Sequence, residues 1–332
     1  MYTGAWIAAV ALVVAVFGAG CCEGKLHEVN GELYAPTPQG YMLARCIREV
    51  ASGTHVTEDG RGRMVLTAKD GSVEVMECNT DGGRIPMLLS KSQMAAARAG
   101  NKRDSDGFGG YDGWQAFTSY EYEAGLDVFV GDISTPNGKP KREPEVLFIF
   151  TGLQNVNWIP KVDPEPRVFD IIQPVLQYPA TAVLGGSDDD PVEFGSSWGV
   201  RSWYVTIHSG AVYSKVALLD EGDVVFGNMT RTGSEAFYVG STNKANGETV
   251  AITVSHPRLA TQPWAYNTLE TYGAPSCEYL PDAPSLFTNL VLAKGSTKVT
   301  ASWANHVSPS QTCAGSKCVI VDPATVTIDM GQ

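Results

Sequence analysis

Histidine is scarce in this chain and nowhere clustered. The five residues stand apart at positions 27, 55, 208, 256 and 306, with no H-x-H and no H-E-x-x-H; a zinc hydrolase needs ligands at such spacings. Cysteine is sparse as well, seven residues with no C-x-x-C among them, which argues against a thiol redox centre or a zinc ribbon. Neither a metal nor an organic cofactor is expected. Positive charge is in the minority, with 24 Lys and Arg against 36 Asp and Glu, a net charge of −12 at pH 7. Residues 25–104 hold 11 basic and 10 acidic side chains, a net of +1, whereas residues 105–332 hold 13 and 25, a net of −12. A surface of that sign repels phosphodiester backbones and anionic lipid, so nucleic acid and membrane surfaces are not expected partners. No apolar run beyond residue 20 is long enough to span a bilayer. Convincing amphipathic helical periodicity and internal repeats are both missing.

An almost unbroken apolar run does stand at the start, Trp6 to Ala19, ending in Gly18-Ala19-Gly20. It is too short for a transmembrane helix and suits the apolar core of a secretory leader, although no Lys or Arg precedes it. Residues 1–24 therefore read as a signal peptide and the mature protein as secreted. Secretion makes disulfides of the cysteines. Cys46 and Cys78 share one small region and form the first expected pair; Cys313 and Cys318, either side of a short turn, form the second. Cys277 is left without an assigned partner, unless Cys21 or Cys22 survives cleavage to join it. Asn228-Met229-Thr230 is an N-glycosylation sequon.

The 35 glycines and 19 prolines, with abundant Val, Thr, Tyr and Ser, favour strands and turns. Over residues 25–90, short alternating runs at Met42–Val50, Met64–Ala68 and Ser72–Glu77 read as a small β-rich N-terminal module. Residues 91–110, rich in Ala, Gly and charge, read as a linker. From residue 111 to 332 strand follows strand: 114–122, 128–134, 145–151, 169–177, 201–208, 224–231, 236–241, 249–255, 264–272, 287–292 and 326–330. Such a series predicts an all-β, two-sheet antiparallel sandwich or jelly roll. Glu145-Val-Leu-Phe-Ile-Phe150 is apolar on both faces and reads as a central, doubly buried strand.

Three constellations bear on chemistry. Asp188-Asp189-Asp190 offers oxygens to calcium but reads as a solvated acidic loop. Gly195-Ser196-Ser197-Trp198-Gly199 has the spacing of a nucleophile elbow, which needs a strand before it and a helix after it; here a β-like run follows. The third is a set of amides and aromatics. Period two places Phe169, Ile171, Gln173, Val175 and Gln177 on one face of a strand. Gln154 and Trp158 precede them, and Trp198, Trp203 and Tyr204 follow. Rings flanked by amides suit sugars, which offer C–H faces for stacking and hydroxyls for hydrogen bonds.

Several of these segments resemble the glutamic endopeptidases of the eqolisin family, over about residues 111–330. Gly113-Trp114-Gln115-Ala116 is similar to the opening strand of that family, Val130–Pro136 to its Gly-x-Trp-x-Val-Pro segment, and Phe150–Leu153 to its Trp-Val-Gly-Ile. Ile171-Ile172-Gln173-Pro174-Val175 looks like its Ile-Leu-Gln-Thr-Gly strand. Glu221–Val225, Trp264–Glu270 and Leu286–Val291 also match. The resemblance implies a concanavalin- or lectin-like sandwich, and a Gln–Glu dyad in which Glu activates water and Gln steadies the oxyanion. The Gln carries over to Gln173. The Glu position falls in Trp203-Tyr204-Val205 and is occupied by Val205, which accepts no proton. Glu193 and Glu270 are the substitutes to consider as base.

The sequence thus points to a secreted protein that binds an extracellular polymer through an aromatic, amide-lined concave face. The partner is polysaccharide or polypeptide, and Gln154, Trp158, Gln177, Trp198, Trp203 and Tyr204 are the expected contacts. The alternative is a divergent, acid-acting glutamic-type endopeptidase using Gln173, with residues 25–104 as its propeptide.

Overall fold

The computed structural model of the chain describes residues 26–78, 87–89, 93, 113–159, 166, 168–180, 197–307, 313 and 315–330. The expected signal peptide, the linker apart from Gln93, Asp188–Asp190, Glu193 and the first half of the Gly195–Gly199 motif lie outside these residues. The N-terminal part supplies β1 (His27–Val29), β2 (Glu32–Thr37), β3 (Gly40–Leu43), β4 (Ile47–Val50), β5 (Thr54–Glu58), β6 (Met64–Thr67) and β7 (Val73–Met76). The remainder begins with β8 (Gly113–Glu121), β9 (Val128–Ser134), β10 (Val146–Gln154), β11 (Asp170–Tyr178), β12 (Trp198–Thr206), β13 (Gly210–Ser214), β14 (Ala217–Leu219) and β15 (Val224–Gly233). It continues through β16 (Ala236–Asn243), β17 (Thr249–Ser255), β18 (Trp264–Tyr272), β19 (Ser285–Lys294), β20 (Thr297–Val299), β21 (Ala304–Val307), β22 (Lys317–Asp322) and β23 (Thr325–Asp329).

These strands make two large sheets and a small one. The front sheet has nine strands, ordered β21-β8-β18-β10-β11-β12-β13-β4 with β14 beside β12. The back sheet has eleven, ordered β22-β23-β19-β9-β15-β16-β17-β5-β6-β7 with β20 beside β19. Strands β1-β2-β3 form a separate three-stranded sheet. The two large sheets face each other over an apolar layer that includes Phe129, Ile149, Leu176, Tyr204, Phe237 and Ile252. Burying each such side chain contributes about 1.5–3 kcal/mol. In β15 burial alternates residue by residue, as it must where the outer face of the back sheet meets water. In β10 all nine residues are buried, because this strand sits mid-sheet and is covered on both faces.

The second cover comes from the N-terminal part, which is not the separate module expected of residues 25–90. Its strands β4–β7 join the sandwich. β4 pairs with β13 and β5 with β17, both in parallel, so a sandwich read as antiparallel gains two parallel pairings. The approach at β13 is close. Gly210 has φ +108°, and a β-carbon there would fall 2.2 Å from the Cys46 carbonyl oxygen, so only glycine fits. A disulfide joins Cys46, just before β4, to Cys78, just after β7, and Arg48 pairs with Glu74 across the same corner at 2.9 Å.

The second expected disulfide is corrected. Cys313 bonds to Cys277, not to Cys318. Residue 318 lies on β22 with its side chain inside the sandwich, where the thiol points at the carbonyls of Phe117 and His306, each 3.7 Å away. Alternation along the strand, not the short gap in sequence, decides its partner. Burial pushes the Cys318 thiol up to about 11. No helix among the described residues is long and apolar enough to cross a membrane.

Candidate functional site: the outer face of the front sheet

Strand β11 presents Phe169, Ile171, Gln173, Val175 and Gln177 on one face, as period two requires. Phe169, Ile171 and Val175 belong to a second apolar cluster on the outer side of the front sheet, with Phe148, Phe150, Trp203, Val205, Tyr266 and Tyr272. Gln173 pairs with Trp203. The register that pairs Phe150 with Val175 and Leu153 with Ile172 puts Gly152 on its other side. Its neighbours on this face are therefore Ile171, Val175, Arg201, Trp203, Val205, Phe150, Gly152 and Gln154. None of them is a carboxylate.

Glu270 lies elsewhere. It pairs with Phe148, which in turn pairs with Gln177. That places Glu270 two strands across and four residues along from Gln173, roughly 16 Å between α-carbons at standard strand spacings. Its carboxylate instead accepts a hydrogen bond from the Tyr272 hydroxyl. A single bridging water cannot link Glu270 to the Gln173 amide. Glu193 lies outside the described residues.

This face was expected to be an open, concave ligand surface; the structure covers it. Val29, Tyr34, Ala35, Tyr41, Met42, Leu43, Cys46 and Ile47, with Met87–Leu89, pack into the same cluster. Tyr41 meets Tyr272 edge-on at 5.0 Å. Its hydroxyl donates to Glu145 at 2.8 Å, and His27 holds the other oxygen of that carboxylate at 2.7 Å. Arg201 bonds Glu49 of β4 at 2.5 Å. Residues 34–39, including the turn between β2 and β3, are all buried, although hairpin turns normally face water. Under this cap the side chains of Gln173 and Gln39, the Trp203 indole N–H and the Thr268 hydroxyl have no hydrogen-bond partner among the described residues.

The expected contact residues therefore divide. Trp203, Gln154, Gln177 and Trp158 are on the outer side but buried, Trp158 being the most exposed at 6%. Gln154 donates to the carbonyls of Val156 and Trp158 at 2.8 and 2.7 Å, and Gln177 to that of Ala180 at 2.6 Å. Both amides thus hold loops. Trp158 packs edge-on against Phe169. Trp198 and Tyr204 face the other way, into the layer between the sheets. Tyr204 follows Trp203 on one strand, so the two cannot share a face. Ser197 leads directly into β12, the wrong geometry for a nucleophile elbow.

Two features were missed in the sequence. One is a rim beyond the cap, where Phe117, Val156, Ile159 and Trp264 are partly exposed against the outer cluster. Phe117 stacks on exposed His306 at 4.5 Å, and Trp264 on Tyr266 at 6.2 Å. Tyr266 donates to exposed Asn157 at 3.0 Å, and exposed Glu121 pairs with Trp264 across the ladder. Alternation in β8 and β18 could have indicated it. The other is a polar cluster at one end of the sandwich. Arg258 bridges Asp170 and Glu58, Tyr204 donates to Asp170, and Ser209 and His256 both bond Glu58 at 2.5 and 3.1 Å. Burial raises the Asp170 carboxyl. For Glu58 burial also pushes upward, but the Ser209 hydrogen bond, the Arg258 charge and His256 outweigh it and hold the carboxyl low. These residues are far apart in sequence, so no motif announces them.

No family model and no curated protein matches the chain. Solved structures of similar fold include scytalido-glutamic peptidase with a peptide-based transition-state analogue, at 13% identity and TM-score 0.43. The same peptidase with a transition-state analogue inhibitor gives 13% and 0.44. SCP-B, a member of the eqolisin family in complex with the tripeptide Ala-Ile-His, gives 13% and 0.42. Each match covers 66% of this chain and 98% of the other.

Proposed function

We propose that the protein is a secreted β-sandwich that binds an extracellular polymer, polysaccharide foremost, without the Gln–Glu chemistry of glutamic peptidases. The observation that carries this reading is the ring of eight neighbours around Gln173, which lacks a carboxylate and lies beneath the N-terminal cap. With no carboxylate among the described neighbours of Gln173, nothing among them activates water beside it. Ligand contact falls instead to the uncovered rim. There Phe117 and Trp264 offer apolar ring surface, while Asn157, Glu121 and His306 offer hydrogen bonds, the mixture that sugar hydroxyls and C–H faces require. Two disulfides agree with an oxidising compartment. Retention on insoluble cellulose, chitin and β-glucan tests the reading. Trp264→Ala and Phe117→Ala should each weaken retention about tenfold, the equivalent of about 1.4 kcal/mol, with the fold intact. Retention unchanged in both variants would sink it.

A second reading is a latent acid-acting hydrolase with the N-terminal part as propeptide. It is favoured by the buried β2–β3 turn and by the Gln173 amide, both of whose polar atoms lack a partner among the described residues, so that it would be free to bind an oxyanion once uncovered. Proteolysis of a denatured substrate over about pH 2 to 7, lost in Gln173→Ala, would establish it and displace the first.

A further inference from the structure

We propose that Asn228 is an acceptor for an N-linked glycan, and that Tyr238, laid across Gly240, is the platform for its first sugar. The proposal rests on the reading of the protein as secreted. Asn228 and Thr230 lie two apart in β15 and share its outward face, while Met229 between them is fully buried. Thr230 donates its hydroxyl hydrogen to the Asn228 side-chain oxygen at 2.5 Å. The sequon is therefore held with its hydroxyl on its amide.

The ground beside Asn228 is clear. Its partner across the ladder in β16 is Gly240, and in β9 it is Val130. A β-carbon on Gly240 would fall 2.5 to 2.7 Å from the ring and hydroxyl of Tyr238, so the ring lies over the glycine, next to Asn228. A half-buried aromatic ring in that position presents apolar surface to the C–H face of an N-acetylglucosamine. The charge nearest to Asn228 on this face is a paired one, Asp132 of β9, across from Phe226, with Lys244 at 2.9 Å. The outward positions of β15, β16 and β17 hold Phe226, Thr230, Thr242, Thr249, Thr253 and their neighbours, with no Lys, Arg, Asp or Glu among them.

In the transfer, the Asn228 amide nitrogen forms a bond to C1 of a sugar carried on a polyprenyl diphosphate. The C1–O bond to the diphosphate breaks, the diphosphate leaves with the bonding pair, and the amide gives up one proton.

The test is expression of the full chain in a eukaryotic secretory host, once with its own N-terminus and once behind the host's leader. Intact mass and peptide maps are compared before and after peptide-N-glycosidase. The expected result is a glycan on Asn228 in the wild type and in Thr230→Ser, absent from Asn228→Gln and Thr230→Ala. Glycan removal should lower the wild-type Tm by roughly 2 °C or more and leave Tyr238→Ala nearly unmoved. Secreted, folded wild type with unmodified Asn228 would overturn the acceptor. An equal Tm loss in Tyr238→Ala would overturn the platform. Secretion and glycosylation behind the host's leader alone would overturn the secretion reading and leave the acceptor standing.

Discussion

Gln173 and Trp203 face each other across the β11–β12 ladder, both fully buried, and neither the amide nor the indole N–H has a hydrogen-bond partner among the described residues. An unmet buried amide is a cost to the fold. Gln173→Met keeps most of the volume and removes the polar atoms, so it should raise stability by about 1 kcal/mol. Denaturant unfolding of the two proteins measures it. A destabilised Gln173→Met would mean that the amide has a partner it needs.

Val205→Glu restores the carboxylate that the resembling family carries, at a site with no room for charge. Val205 is fully buried between Ile171 and Ala211. An unpaired carboxylate there should cost about 3 kcal/mol or more at pH 7, and less near pH 4, where protonation neutralises it. Thermal melts at the two pH values decide. Equal destabilisation at both would point to shape, not charge.

Cys318 should resist alkylation in the native protein and react on unfolding, since burial holds its thiol near 11. Non-reducing peptide maps should recover the Cys277–Cys313 and Cys46–Cys78 crosslinks. A Cys313–Cys318 peptide would contradict this arrangement.

The Glu58 cluster gives stability a pH dependence. A carboxyl held low in the folded state contributes stability above its unfolded value, about 4.3 for Glu, and loses that contribution as pH falls through the folded value. Asp170, raised in the fold, acts in the opposite sense: its contribution is complete below about 3.9 and is lost as pH rises through its folded value. Glu58→Gln should therefore lower Tm at pH 7 and match wild type at strongly acid pH, leaving a shallower acid limb. A constant gap between the two Tm curves would refute the assignment.

Much of the sandwich was legible because its strands carry their own periodicity. Val128–Ser134, Thr249–Ser255 and Trp264–Tyr272 have the bounds read from alternation and turn residues, and the doubly apolar run at 145–150 is the central strand it resembled. The cap was not legible. Its residues read as a self-contained module because β4 and β5 find partners, β13 and β17, that are remote in sequence and pair in parallel. Gln173 and Gln177 were read on one face, but alternation says which residues share a face and nothing about what lies on it. For the same reason a surface suited to ligand was read where the chain's own N-terminal part sits. The rim at Phe117 and Trp264 was missed because each residue looks like ordinary core when taken alone.

Parallel pairing of β4 with β13 and of β5 with β17 also sets a timetable. During synthesis the N-terminal strands emerge first, yet the edges they complete do not exist until most of the chain has followed. Through that interval β4 and β5 are unsatisfied strands with nothing native to join, and the growing sheets are open on the side they will close. The first segment made is thus the last one seated. A ribosome-bound chain of this protein should depend on holding chaperones more than its strand-by-strand local order would imply.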